Sequence, residues 1–464
     1  MSFVQCLSMN WQEEQVIAQS LNNRTLVVGL GETGVATVCH LRSQGQAVLV
    51  IDSRVNPPGL EHLRQRYPEV QVVLKTLSPR WLLGIDEVVL SPGLAADIQL
   101  VAEAHRRGIS VVSDIELFAR EMASLNAAVL AVTGSNGKST VVTMLEAMLQ
   151  ASEMNVTAGG NLGPPALSLL GKKNISTYLL EISSFQLETT KSLRPLAAAV
   201  LNVSADHLDR HKTLERYVVL KEQLLTNSDI AIVNWDDPIV RRMGMAHPKS
   251  VPYSVCEPLE QGYSVRLSQG ERWFARNQKP LVPVSSLMVG GTHNESNALA
   301  ALALAEIVST NYEPLLEALQ SFHGLPHRCQ WVGEKDGVAF INDSKATNVG
   351  ATLAALNGVS GSVILIAGGR AKGADFTPMV ELAREKLKGA ILIGESAEAL
   401  RSVLADVCPT ELAGGVDDAV SCALFMASAG DTILFSPACA SQDMFLNYQV
   451  RGDAFVKEIQ VLLS

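Results

Sequence analysis

The 464-residue chain is short of several things, and each shortage narrows what it can be. It has no run of 18 uninterrupted apolar residues, so no membrane-spanning helix is expected. Its opening, MSFVQCLSMNWQEE, carries no basic residue and places Glu13 and Glu14 early, which a secretory signal does not do. Cys6, Cys39, Cys256, Cys329, Cys408, Cys422 and Cys439 are odd in number and form no C-x-x-C pair. That spacing implies neither a zinc site nor a disulfide framework, and the expected location is a reducing cytoplasm. Lysine and arginine total 37 against 47 acidic residues, a net charge of −10. Non-specific binding to nucleic acid or to a membrane surface needs a basic face, so neither partner is expected. A small anionic substrate stays compatible with locally basic groups. Charged residues are scarce at 18%, aromatics scarcer at 5%, while 47% of the chain is apolar, which excludes disorder and supplies several cores. At roughly 150 residues per domain the length suggests about three of them.

Short β-branched runs at 25–30, 47–51, 87–90, 128–132, 177–182, 198–203, 230–234, 363–367 and 432–435 alternate with amphipathic stretches at 35–44, 140–150, 215–225 and 297–308. Such alternation predicts βαβ units with buried parallel sheets, an α/β chain. Residues 248–291, rich in Ser, Gly, Pro and Val, lack a helical face and are expected to form a small β region. Boundaries are expected near 115 and 324–326, giving units 1–115 (with an extension at 1–22), 116–324 and 325–464. There is no short-period repeat and no low-complexity tract.

Three kinds of polar cluster sit where strands hand over to helices. Gly29-Leu30-Gly31-Glu32-Thr33-Gly34 follows a strand, opens a helix, and is answered by Asp52 about 20 residues on. Its glycines let backbone approach a diphosphate at a helix N-terminus, and the acid can accept from a ribose hydroxyl. The motif alone does not separate NAD from another nucleotide diphosphate; Asp52-Ser53-Arg54 adds a cation. Gly134-Ser135-Asn136-Gly137-Lys138-Ser139-Thr140 again lies between a strand and a helix. Its amides can cradle the phosphates of ATP, Lys138 can neutralise them, and Ser139 or Thr140 can reach Mg²⁺.

The remaining clusters are less specific. Glu181 ends a buried strand and suits Mg²⁺, which prefers oxygen; His207, in Ala205-Asp206-His207-Leu208-Asp209, is an unusual ligand for it and read alone is a structural hydrogen bonder. Lys221, read alone, is a solvated helical lysine. Asn294 and Asn297 stand at the start of an Ala/Leu-rich helix, where cap chemistry would also explain them. Asp343, Lys345 and Thr347 in NDSKATN, and Ser436 in SPACAS, occupy turns at the edge of a third sheet, where a second substrate would sit.

Taken together, TGSNGKST, LEISSFQLE, NVSADHLDR, HNESNALAALALA, GLPHR, NDSKATNVGAT and SPACASQDMF resemble the Mur ligases, in order and over nearly the whole chain. The resemblance implies three domains: a Rossmann-like N-terminal one for a uridine nucleotide, a central P-loop ATPase-type parallel sheet, and a Rossmann-like C-terminal one for an amino acid. It implies an ATP-dependent amide ligase of peptidoglycan precursor synthesis, with ATP and two Mg²⁺ ions. Within the family, NDSKATN and SPACAS favour D-glutamate as the amino acid and UDP-N-acetylmuramoyl-L-alanine as its acceptor, joined through an acyl phosphate and a tetrahedral intermediate. By the same resemblance Glu32, Thr33, Asp52, Ser53, Arg54, Ser91 and Asn161 are the uridine-substrate contacts. Glu32 replaces an expected apolar residue, which points to its backbone. The ATP contacts are Gly134, Ser135, Asn136, Gly137, Lys138, Ser139, Thr140, Asn294, Asn297, Arg328 and Asp343. Lys345, Thr347, Lys372, Ser436 and Phe445 match the D-glutamate pocket; Gly368–Phe376 departs slightly from the family pattern, so Arg370 can share the role of Lys372. Ser139 or Thr140 with Glu181 would hold one metal and His207 a second. Lys221 matches a lysine carbamylated by CO₂, which reverses its reading as a solvated residue. Lys138, His207 and Lys221 are therefore the catalytic candidates, in an enzyme expected to act as a monomer.

Overall fold

Runs such as AVLAVT and TYLLE show no polar alternation, and both are buried almost end to end, as strands with helices on two faces must be. The computed structural model describes residues 24–463 apart from Gln269, Ser360 and Lys372, and without the side chain of Asp209. The extension expected at 1–22 and the candidate Lys372 lie outside the described residues.

The first sheet contains β1 (Arg24–Val28), β2 (Ala47–Asp52), β3 (Gln71–Leu74), β4 (Glu87–Leu90) and β5 (Ser110–Val112). All are parallel, in the order β3-β2-β1-β4-β5. The order reverses between β1 and β4, and such a reversal opens a crevice at the carboxyl ends of the strands. The Gly-rich turn leaves β1 there, and Ser91-Pro92-Gly93 leaves β4 beside it.

The second sheet contains β6 (Ala128–Thr133), β7 (Val156–Gly160), β8 (Thr177–Glu181), β9 (Ala197–Val200), β10 (Ile230–Asn234), β11 (Ser250–Ser254), β12 (Tyr263–Ser268), β13 (Glu271–Arg276) and β14 (Lys279–Pro283). Their order is β14-β13-β12-β11-β10-β9-β6-β8-β7, parallel up to β12 and antiparallel through β13 and β14. The β region expected at 248–291 is thus the far edge of this sheet. The third sheet contains β15 (Gln330–Lys335), β16 (Val338–Asn342), β17 (Val363–Gly368), β18 (Leu387–Ile393), β19 (Thr410–Leu412) and β20 (Thr432–Phe435), in the order β15-β16-β20-β17-β18-β19. Only β15 runs antiparallel to its neighbour.

Two departures from the sequence reading matter for the site. The strand expected at 198–203 stops at Val200, leaving Asn202 in a loop. The helix expected from 297 starts at Thr292, so Asn294 and Asn297 lie within it; its N-cap is Gly291, and neither asparagine caps it. Apart from Ser296, that helix is buried from Asn294 to Ala305, because Ala and Leu surround it with no polar face.

Helix Asp114–Met122 joins the first two sheets through buried polar ties. Glu116 accepts from the backbone N–H groups of Lys191 and Ser192, Ser113 bonds Thr190, and Gln186 donates to Asp114. Burial pushes the Asp114 carboxyl up to about 6. Among the described residues no helix is long and apolar enough to cross a membrane.

The third glycine of the first motif is required by packing. A Cβ on Gly34 would lie 2.0 Å from the carbonyl oxygen of Gly29. Gly34→Ala is expected to cost about 1–3 kcal/mol of stability through overpacking. Its denaturant midpoint checks this, and a midpoint equal to that of the unmodified chain would show that the turn can relax.

Candidate active site

The glycine-rich loop after β6 is shaped by two glycines. Gly134 and Gly137 have φ of +156° and +86°, and a Cβ on Gly137 would strike Asn297 Oδ1 at 2.5 Å. The loop after β9 and helix Leu214–Thr226 hold it in place: Asn136 N–H donates to Asn202 Oδ1 (2.9 Å), Asn202 Nδ2 donates back to Asn136 O, and Ser135 Oγ meets both Ser204 and the Tyr217 hydroxyl. Lys138 starts the following helix, and its Nζ donates to Gly134 O (2.9 Å) and Ser135 O (3.0 Å). Burial lowers the pKa of Lys138, with Glu181 opposing the shift.

Glu181, at the end of β8, is the anionic anchor of the site. Its Oε2 accepts from Ser139 Oγ and its Oε1 from Asn161 Nδ2, both at 2.6 Å. Arg328, from the segment preceding β15, crosses to the second sheet and donates to Ser139 Oγ at 2.8 Å. Residues 42 and 189 positions from Ser139 therefore meet on one hydroxyl.

Lys221 overturns its reading as a solvated lysine. It lies on helix Leu214–Thr226 with 1% of its surface exposed. Its Nζ lies 3.4 Å from Thr133 Oγ1 and 4.3 Å from the centre of the Tyr217 ring. Burial first, and then the positive charge of Lys138, drive its pKa well below the ordinary 10.5. His207 caps the short helix Leu208–His211 with a φ of +54°, a conformation non-glycine residues seldom adopt. Its ring packs on Phe185, and its Nε2 lies 3.6 Å from Asp206.

These groups line two cavities that share a wall. One, of about 450 Å³, lies between the second and third sheets and takes in Lys138, Thr140, His207, Asn294, Asn297, Asp343 and Thr347. The other, of about 530 Å³, reaches the first sheet at Glu32, Thr33 and Pro92. Asn161, Glu181, Arg328 and Lys345 belong to both. Lys345 Nζ faces the Tyr448 ring at 3.9 Å, and burial together with Arg328 brings its pKa down to about 8. Burial raises the Asp343 carboxyl to about 7, while Ser436 Oγ and Cys329 N–H donate to it.

Other candidates fall elsewhere. Ser436 is fully buried and bonded to Asp343 and Thr352, and Phe445 packs into an apolar cluster; neither is on the wall of these two cavities. Asp52 is buried, accepting from Leu30 N–H and from Arg54 Nε and Nη2, with its pKa held down by Arg54 against the opposing effect of burial. Ser53 is exposed beside it. Ser91 Oγ donates to Gly29 O and stays with the Gly-rich turn. Sequence reasoning missed Asn202, Tyr217 and Tyr448. The one available signal was Tyr217, which stands four residues before Lys221 on the same helix face.

Among the described residues no group of three His, Cys, Asp or Glu side chains is arranged to hold a metal. A hydroxyl and one carboxylate in contact, Ser139 and Glu181, suit a hard cation that takes its other oxygens from phosphate and water. The residues present thus fit Mg²⁺.

Three family models match the chain in order: Mur ligase MurD-like, N-terminal domain (23–113), Mur ligase middle domain (132–305), and Mur ligase, glutamate ligase domain (327–439). Over 442 residues the chain is 42% identical to the UDP-N-acetylmuramoylalanine–D-glutamate ligase of Nitrosococcus oceani, covering 95% of this chain and 97% of that one. The enzyme of the same name from Methylococcus capsulatus is 41% identical over 442 residues, with 95% of each covered. In fold the chain is similar to the UDP-N-acetylmuramate–alanine ligase of Thermotoga maritima, at a TM-score of 0.61 and 19% identity over 95% of this chain and 99% of that one.

A buried lysine with a depressed pKa leaves a mark on stability. Between its folded value and 10.5 the unfolded chain binds the extra proton, so this contribution to stability grows as pH rises and is lost as pH falls. In CO₂-free buffer Lys221→Met is expected to raise the melting temperature, and to raise it more at pH 7 than at pH 10. An equal effect at both would show that Lys221 titrates normally.

Proposed function

Because the chain belongs to the Mur ligase family, we propose that it joins D-glutamate to UDP-N-acetylmuramoyl-L-alanine with conversion of ATP to ADP and phosphate. The observation that carries this reading is the shared wall of the two cavities, where Asn161, Glu181, Arg328 and Lys345 face both. A nucleoside triphosphate in one cavity and a uridine nucleotide in the other would bring phosphate and carboxylate together there.

The chain's own residues have defined work in that reaction. The amides of the loop at 134–137 hold the phosphates, and Lys138 stabilises charge on the phosphoryl group in flight. The alanyl carboxylate attacks the terminal phosphorus, the bond to the bridging oxygen breaks, and ADP leaves. The D-glutamate amine then attacks the acyl carbon, gives up its proton, and the tetrahedral intermediate expels phosphate. Carboxylate oxygen is a poor leaving group, and phosphate is a much better one. Mg²⁺, when bound, would neutralise phosphate charge and shield ATP from the incoming carboxylate. Ser139 or Thr140 with Glu181 would hold one ion, and His207 with Lys221 a second.

A neutral Lys221 amine can attack CO₂: an N–C bond forms as one C–O π bond opens, a proton leaves the nitrogen, and a neutral side chain becomes an anion. The lowered pKa and burial of Lys221 support that role. Lys345 and Thr347, with Lys372, Ser436 and Phe445, are assigned to D-glutamate; lysines suit a dicarboxylate. Asn294, Asn297, Arg328 and Asp343 are assigned to the nucleoside of ATP. Glu32, Thr33, Asp52, Ser53, Arg54, Ser91 and Asn161 are assigned to the uridine substrate. Arg328 bridges from the third sheet's side of the site to Ser139, and closure of that side over the substrates would exclude the water that hydrolyses an acyl phosphate. The reading includes a cytoplasmic monomer with domain limits at 1–115, 116–324 and 325–464.

ADP release with UDP-N-acetylmuramoyl-L-alanine and Mg·ATP is the direct test, with D-glutamate, L-glutamate, L-alanine and meso-diaminopimelate compared. Release with D-glutamate alone, accompanied by a new amide product by mass, is expected. Release with another amino acid would keep the mechanism and move the specificity, and silence with all four would overturn the reading. Lys221→Ala is expected to lose turnover by a factor of about 10² or more, as removal of a group tuning charge at a phosphoryl centre does. Short carboxylates such as acetate should restore part of it, whereas full activity without any additive would end the carbamate role.

A further inference from the structure

The segment Asp206-His207-Leu208-Asp209-Arg210-His211 contains more chemistry than the reaction above uses. Helix Leu208–His211 is a single turn, too short to be stable alone, and it starts from the left-handed backbone of His207. Something outside the turn must hold it. Arg210 and His211 both reach Glu188, which is 5% exposed: Arg210 Nη2 donates to Glu188 Oε2 at 2.6 Å, and His211 Nδ1 lies 3.3 Å from Oε1. His211 Nε2 also meets Ser184 Oγ at 2.9 Å.

Arg210 does one thing more. Its Nη1 donates at 2.7 Å to the backbone oxygen of Pro92, 118 positions earlier and in the turn that leaves β4 of the first sheet. Its guanidinium lies 4.0 Å from the centre of the Phe185 ring, whose surroundings also include the ring of His207 at 4.8 Å. Pro92 lines the cavity that reaches the Gly-rich turn, and its neighbour Ser91 donates to Gly29 O. One partly buried guanidinium therefore joins the turn bearing His207 to the loop packed on the Gly-rich turn. Its planar fork serves two acceptors in different directions while one face stacks on an aromatic ring, which an ammonium cannot do.

We propose that Arg210 is a positioning residue for ligation: it clasps the His207 turn to the Ser91-Pro92-Gly93 turn and so fixes the uridine-nucleotide site relative to the phosphate site. This rests on the function proposed above, since it assigns the two cavities to those two substrates. Arg210 lines neither cavity, so it acts through the turns it joins.

The test compares Arg210→Lys and Arg210→Ala with the unmodified full chain. Loss of one charge-assisted hydrogen bond should raise KM for the uridine substrate about tenfold. KM for ATP should stay within about twofold, since on that side the turn keeps His211 against Ser184 and Glu188. Millimolar guanidinium should restore Arg210→Ala, and ethylammonium should not. Titration calorimetry with UDP alone reads the same contact without turnover. Weaker UDP binding in the variants supports the clasp even if the unmodified chain ignores D-glutamate, a result that would overturn only the function proposed above. Unchanged UDP affinity, or KM values for both substrates that rise together, would overturn the clasp. If Arg210→Ala does not fold, Arg210→Lys carries the same comparison.

Discussion

The crowding of basic side chains at the junction of the three sheets is the constraint on which the rest of this structure depends. Lys138, Lys221, Arg328 and Lys345 converge there, against Glu181 and Asp206. Each desolvated cation makes the next harder to charge: Lys138 lowers the pKa of Lys221, and Arg328 and Lys138 lower that of Lys345. A cavity with such an imbalance is suited to anions, since phosphate and carboxylate supply the missing charge where water is excluded. The chain's overall net charge of −10 gives no hint of this.

The convergence is a consequence of strand order. In each sheet the site loops leave the carboxyl ends of neighbouring strands: β1 and β4 in the first, β6, β8 and β9 in the second, β16 in the third. Helix Asp114–Met122 ties the first two sheets with buried hydrogen bonds, while the third sheet's side of the junction reaches the second through hydrogen bonds from Arg328 to Ser139 and from Asn348 to Asp206. A joint held by a few polar contacts can open for substrate entry and close for chemistry, which a continuous apolar interface would resist. Some stability is given up in the same place. The left-handed backbone of His207 and the desolvated amine of Lys221 both oppose folding, and the apolar helix Thr292–Ala305 behind the phosphate loop offsets them.

Much of the scaffold was legible in the chain. Strands β4, β10 and β20 fall where β-branched runs placed them, because a strand buried on both faces has no other way to be written. The glycine-rich turn between β6 and the helix from Lys138 was readable because strand, glycines, lysine and hydroxyls are consecutive there. Helix Thr292–Ala305 was placed five residues late, since a helix without a polar face carries no periodic signal at its start.

The sequence by itself determined the α/β class, the two glycine-rich turns and, through its resemblance to the Mur ligases, the chemistry to expect. Each of those depends on residues adjacent in the chain. Tertiary structure alone decided which side chains meet. Read locally, Lys221 is one more lysine on a helix, and only packing beside Thr133 and Tyr217 desolvates it. Ser436 stands in a polar turn, yet folding turns its hydroxyl inward to Asp343. Arg210 and Pro92 are 118 positions apart, and Arg328 and Ser139 are 189. Burial and long-range contact are properties of the assembled sheets, so no local pattern of residues encodes them.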